Sequence, residues 1–62
     1  MKKGSIVNKN GILYTVISST IYENIQYVFC VDKKDNIKIF QCLDELIEVI
    51  DIDLIKEIIK GM

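Results

Sequence analysis

The sequence predicts a mainly-β domain: an antiparallel meander of about five strands, forming a small barrel or a strongly bent sheet, with one C-terminal helix. Three evenly spaced turn signals divide residues 4–43 into four runs rich in Ile, Val, Tyr and Phe, which favour strands. An acidic, helix-like segment follows these runs. With 62 residues in all, we expect residues 1–62 to form a single domain.

The first turn signal is the pair Asn10-Gly11. Both residue types tolerate positive φ angles, which a two-residue type I′ turn requires. The pair therefore predicts a hairpin between a strand over residues 4–9 and a strand over residues 12–22. A loop of this length places Val7 opposite Tyr14.

The second turn signal, Glu23-Asn24, predicts the return into a strand over residues 25–32. An uninterrupted ladder would pair Ser18 with Phe29 and Val16 with Val31. The two hairpins then agree on one buried face, because side chains alternate along each strand. The residues expected on this face are Tyr14, Val16, Tyr27, Phe29 and Val31.

The opposite face of the second and third strands is also rich in apolar residues. Its expected members are Leu13, Ile17, Ile21, Val28 and Cys30. A long strand that is apolar on both sides fits one that bends and serves two parts of a curved sheet. We expect the bend at Ser18-Ser19.

Residues 37–43 form the fourth predicted strand. An odd-length turn over residues 33–35 places Ile39 beside Phe29, whereas an even-length turn would place Phe40 there. We favour the odd-length turn.

The C-terminal third has two interpretations. Its apolar spacing permits one helix over residues 44–60. The β-branched residues near its start favour instead a short fifth strand over residues 46–50, followed by a helix over residues 52–60. We prefer the second interpretation, with Asp51 or Asp53 as the helix cap.

The composition argues against an enzyme. Histidine, the usual general base near neutral pH, is absent, and no Gly-rich phosphate loop is present. Two cysteines without histidine cannot complete a four-ligand zinc site in one chain. In the predicted hairpin Cys30 and Cys42 lie roughly 10–13 Å apart, too far for a disulfide. We therefore expect two reduced thiols, no catalytic residue, no metal and no cofactor.

The net charge of −1 hides an uneven distribution, because residues 1–42 sum to +3 and residues 43–62 to −4. Four lysines form a candidate nucleic-acid surface: Lys9, Lys33, Lys34 and Lys38. Arginine, which reads guanine by bidentate contacts, is absent, and so few charges would bind phosphates weakly. Nucleic-acid binding is therefore the alternative function rather than the preferred one.

The predicted helix provides the preferred functional hypothesis. Its apolar arc is roughly 160° wide, whereas a core-facing helix normally needs ~100°. The excess predicts an exposed aliphatic surface, which usually marks a contact with a partner. The candidate partner-binding residues are Ile52, Ile55, Ile59 and Met62.

Several segments resemble a known class of proteins. They are the Gly-Ser-Ile-Val opening, the Asn-Gly turn, Tyr14-Thr15-Val16-Ile17, the tyrosine-containing third strand and Leu46-Ile47-Glu48-Val49-Ile50-Asp51. Together they look like the small SH3-like β-barrel proteins of phages and mobile elements of AT-rich Gram-positive bacteria. The resemblance implies a non-enzymatic binding role and assigns no functional residues.

We therefore expect a protein-interaction module that binds another protein or itself, such as a mobile-element-encoded inhibitor or adaptor acting on a host protein. Lys2 and Lys3 are followed by Gly4 and Ser5 rather than by an apolar signal-peptide core. No apolar run approaches the ~20 residues that span a bilayer. We expect a cytoplasmic protein without a membrane partner.

Overall fold

The structure, a computed structural model, describes residues 2–60 and contains five antiparallel strands and one helix. These elements are β1 (Ile6–Lys9), β2 (Ile12–Tyr22), β3 (Ile25–Val31), β4 (Ile37–Cys42), β5 (Leu46–Glu48) and α1 (Ile52–Lys60). The strands lie in chain order in one sheet, which curls into a half-barrel. β1 and β5 are the two edges of this sheet, so the barrel does not close. The fold class predicted from the sequence is confirmed.

The first two hairpins are closed by two-residue turns in the left-handed region. Asn10 and Gly11 have φ angles of 54° and 82°, and Glu23 and Asn24 have φ angles of 51° and 66°. Asn8 supports the first turn, because its Oδ1 accepts a hydrogen bond of 3.1 Å from the Gly11 amide. Such turns match the right-handed twist of paired strands and fix their register.

The register between β2 and β3 changes at a β-bulge. Ser18 lies opposite Phe29 as predicted, but Val16 lies opposite Cys30, and Ile17 is the extra residue between them. The predicted pairing of Val16 with Val31 is therefore wrong. A bulge bends its strand and moves every residue beyond it to the other face. The bend was expected one residue further on, at Ser18-Ser19.

Because of this bulge, the single buried face predicted from the sequence is divided between two faces. On the inner face of the half-barrel, Tyr14 and Val16 pack with Val28 and Phe40. The rings of Tyr14 and Phe40 meet edge to face, with centroids 5.1 Å apart. The whole inner cluster consists of Val7, Tyr14, Val16, Val28, Cys30 and Phe40.

The outer face carries the second core cluster, beneath α1. Tyr27, Ile39, Val49 and Ile58 form its buried centre, and Phe29 packs against it. Tyr27 and Phe29 therefore do not share a face with Tyr14 and Val16, which corrects the prediction. Of the residues predicted on the opposite face, Val28 and Cys30 are fully buried, whereas three are exposed: Leu13, Ile17 and Ile21. The third strand is thus buried on both sides.

The C-terminal third follows the second interpretation. β4 lies in the odd-turn register, with Ile39 opposite Phe29, and β5 excludes a single helix over residues 44–60. β5 is shorter than predicted and ends at Glu48, although the Val49 amide still donates a hydrogen bond of 2.8 Å to the Ile39 carbonyl. Asp51 is the helix cap: its Oδ1 accepts hydrogen bonds from the amides of Asp53 and Leu54, at 3.0 and 3.3 Å.

The helix is anchored by Ile58, which is fully buried, next to Ile59, which is 51% exposed. We expect Ile58→Ala to lower the free energy of unfolding by about 2–5 kcal/mol, because it leaves a cavity in the outer cluster. Ile59→Ala, the matched control, should cost well under half as much. Urea denaturation followed by circular dichroism measures both. Equal losses would mean that the helix is not seated through Ile58.

Candidate functional site

The most prominent candidate site is an aliphatic stripe on α1 that the sheet does not cover. Ile52 is 67% exposed and Ile59 is 51% exposed. Seven residues separate them, close to two helical turns, so both lie on one side of the helix. We call this pair the helix flank.

The other predicted partner-binding residues behave differently. Ile55 is half-buried and packs against the outer cluster, so it joins the flank to the core. Met62 lies outside the described residues. The helix flank is therefore narrower than the four-residue surface expected from the sequence.

Two further exposed aliphatic residues precede the helix in the sequence. Ile47 pairs with Gln41, which places it on the same sheet face as the helix, and it is 42% exposed on edge strand β5. Ile50, in the link between β5 and α1, is 79% exposed. Neither residue was singled out at the level of sequence, because alternation in so short a strand does not show which face a helix will cover.

The four candidate lysines do not form one surface. Lys33 and Lys34 are exposed in the β3–β4 turn, and Lys9 is half-buried at the end of β1. Lys38 lies in β4 and its Nζ forms an ion pair of 3.2 Å with Oε2 of Glu48 on β5. Lys38 is therefore already paired within the sheet.

The structure shows a groove that the sequence did not predict. The β1–β2 and β3–β4 turns lie side by side and enclose about 480 Å³ between them. Ile12 and Leu13 of β2 supply its apolar lining, which we call the floor, and Asp32, Lys33, Lys34 and Asn36 of the β3–β4 turn line the other side, which we call the rim. We call it the lysine groove. Adjacent turns of a meander meet in this way only once the sheet has curled, so strand patterns alone could not reveal it.

Asp32 shapes the rim of the lysine groove. Its Oδ1 accepts hydrogen bonds from the amides of Lys34 and Asn36, at 2.8 and 2.9 Å, and its Oδ2 accepts one of 3.1 Å from Asn36 Nδ2. The hydrogen bond from the Asn36 amide, together with the others, lowers the pKa of the Asp32 carboxyl below its ordinary value. The carboxylate thus organises its own turn, because an aspartate side chain readily accepts a hydrogen bond from the backbone amide two residues on.

The two thiols are not arranged for chemistry. Cys30 is buried and Cys42 half-buried, and both are free, as the sequence predicted. Burial raises the pKa of both thiols. A raised pKa favours the neutral thiol over the nucleophilic thiolate. Within residues 2–60, no group of three or more Cys, Asp or Glu side chains is placed to hold a metal ion.

The chain matches no protein-family model, no curated protein and no solved structure. In the part of the chain that the structure describes, no helix has the length and apolar character needed to cross a bilayer. The helix flank and the lysine groove are thus the surfaces on which a functional assignment depends.

The turn around Asp32 makes stability depend on pH. Because its folded-state pKa is lowered, the ionised carboxylate stabilises the fold above the unfolded pKa of ~3.9, and this stabilisation is lost as pH falls through the lower folded-state value. We expect Asp32→Ala to be less stable than the wild type near neutral pH. The difference should shrink as the pH is lowered below about 4.

Urea denaturation at several pH values measures this difference. Asp44→Ala removes another exposed aspartate and is the control. A wild-type advantage over Asp32→Ala that stays constant into strong acid would contradict the role assigned to the carboxylate.

Proposed function

We propose that the chain is a non-enzymatic protein-interaction module that binds a partner protein through the helix flank. The observation that carries this proposal is the exposure of Ile52 and Ile59 on a helix whose neighbouring residue Ile58 is completely buried. The helix is fixed on the sheet, yet it presents part of its apolar side to solvent.

The exposed surface is larger than this fold requires. Eleven large aliphatic side chains in the described residues are exposed, although the molecule is only 62 residues long. Single exposed aliphatic residues are ordinary, but a rigid stripe of them usually marks an interaction surface. Ile47, on the same sheet face, supplies further apolar surface at the edge of the sheet.

The flank is preorganised for binding. Asp51 caps the first turn of α1, and Ile55 and Ile58 hold the helix against the outer cluster. A partner would therefore meet a surface that needs little ordering, which lowers the entropic cost of association. A complementary partner surface is apolar and itself ordered, such as a groove or a second helix.

The resemblance of the sequence to small SH3-like barrel proteins suggests a purpose for such a module. Resemblance to the small SH3-like barrels of mobile elements implies a binding role. An inhibitor or adaptor that acts on a host protein would need only one rigid aliphatic surface of this kind. The missing histidine and the inert thiols support a function without catalysis.

The test is a variant that removes the flank while keeping the helix. Ile52→Asp with Ile59→Lys places an acid in the first helical turn and a base in the last, where each suits the helix dipole. We expect this variant to fold and to lose at least about tenfold in affinity for the partner, because two buried aliphatic contacts become charged. Quantitative capture from host extract and light scattering of the purified protein measure hetero- and self-association.

Ile21→Asp is the matched control, because Ile21 is 73% exposed and lies on β2 away from the flank. A protein captured by the wild type and by this control, but not by the flank variant, supports the proposal. If every captured protein and every oligomer persisted in the folded flank variant, the flank would not be the binding surface.

A further inference from the structure

The two ends of the sheet differ in charge and shape. In an antiparallel meander the β1–β2 and β3–β4 turns lie at one end and the β2–β3 and β4–β5 turns at the other. The turns at the first end, which we call the basic end, carry three lysines against two aspartates: Lys9, Lys33 and Lys34 against Asp32 and Asp35. The turns at the second end, which we call the acidic end, carry three acids and no lysine: Glu23, Asp44 and Glu45.

The basic end contains the lysine groove, whose floor and rim differ in character. Ile12 and Leu13 on its floor are 48% and 47% exposed. The ion pairs within residues 2–60 involve Lys38 and Lys60, and neither Lys33 nor Lys34 is in one. The groove therefore offers an apolar floor beside two lysines and the Asp32 carboxylate, which is hydrogen-bonded within its own turn.

The acidic end carries a turn whose charge and apolar side chain complement the lysine groove. Leu43 is 55% exposed in the β4–β5 turn, and Asp44 and Glu45 follow it and are exposed. The Leu43 amide donates a hydrogen bond of 3.3 Å to the Glu45 carbonyl, which keeps the turn tight. We call these three residues the acidic turn: one aliphatic side chain followed by two carboxylates.

We propose that the lysine groove binds the acidic turn of a second copy of this chain. Leu43 of one copy lies on the apolar floor of the groove of the next copy, and Asp44 and Glu45 face its two rim lysines. The complementarity of charge and of apolar surface selects this occupant over a nucleic acid, which has no aliphatic projection to cover the groove floor.

The two surfaces lie at opposite ends of each copy, so the contact is head to tail and can repeat. Exposed ion pairs contribute little energy each, and salt screens them. The association is therefore weak, depends on concentration and is sensitive to salt. It uses none of the residues of the helix flank, so this inference and the proposed function can fail separately.

The experiment is a charge reversal of each surface and a mixture of the two variants. In the variant Lys33→Glu/Lys34→Glu, the groove becomes acidic like the acidic turn. In the variant Asp44→Lys/Glu45→Lys, the turn becomes basic like the groove. Each variant alone should dissociate at least about tenfold more readily than the wild type, because like charges oppose each other. An equimolar mixture should associate again, since each acidic surface meets a basic one.

Sedimentation velocity over a range of concentrations measures the association, at about 0.1 M and about 1 M salt, where the Debye length is ~10 Å and ~3 Å. Lys2→Glu/Lys3→Glu makes the same change in net charge outside the groove and is the control. Its dissociation constant for self-association should lie within about twofold of the wild-type value, because the residues of the proposed contact are unchanged.

Restoration in the mixture, together with an unaffected control, supports the head-to-tail contact. A wild type that stays monomeric at the highest concentration in low salt would overturn it, as would a mixture that does not associate. A monomeric wild type that binds a single-stranded oligonucleotide, with binding lost in Lys33→Glu/Lys34→Glu, would also overturn it and assign the groove to nucleic acid.

Discussion

The bulge at Ile17 is the constraint from which the rest of this structure follows. One extra residue in β2 exchanges the two faces of the strand, so Tyr14 and Val16 point into the half-barrel while Thr20 and Tyr22 lie toward the helix side. The same residue bends the strand, which lets β1 and the first half of β2 fold over β3 and β4. A straight strand of this length would have left one of the two apolar faces without a partner.

Burial of β3 on both faces explains how so short a chain supports two core clusters. Val28 and Cys30 belong to the inner cluster and Tyr27 to the outer one, so alternate residues of one strand serve both. Chains of this size bury only about 60% of their unfolded surface. Sharing a central strand between the two clusters increases the apolar area buried per residue, although aliphatic side chains such as Ile52 and Ile59 of the helix flank stay exposed.

Local signals predicted the elements well, because turn chemistry and helix capping depend on neighbouring residues. Both predicted turns are present at Asn10-Gly11 and Glu23-Asn24, and Asp51 is the helix cap of the two aspartates that the sequence left open. The predicted assignment of side chains to the two faces of the sheet was wrong, because a bulge has no comparable local signature. Nothing in the sequence near Ile17 distinguishes an extra residue from a paired one. The lysine groove was missed for a related reason, since it depends on the curl that the bulge introduces.

The two open edges of the half-barrel also bear on how readily other chains could pair with this sheet. β1 and β5 each pair on one side only, and they are four and three residues long. Unpaired edges are templates for the strand-to-strand stacking of amyloid, but short ones offer too few hydrogen-bonding groups to hold an incoming chain. Short edges of this kind therefore give an incoming strand little to pair with, even in a sheet so rich in isoleucine.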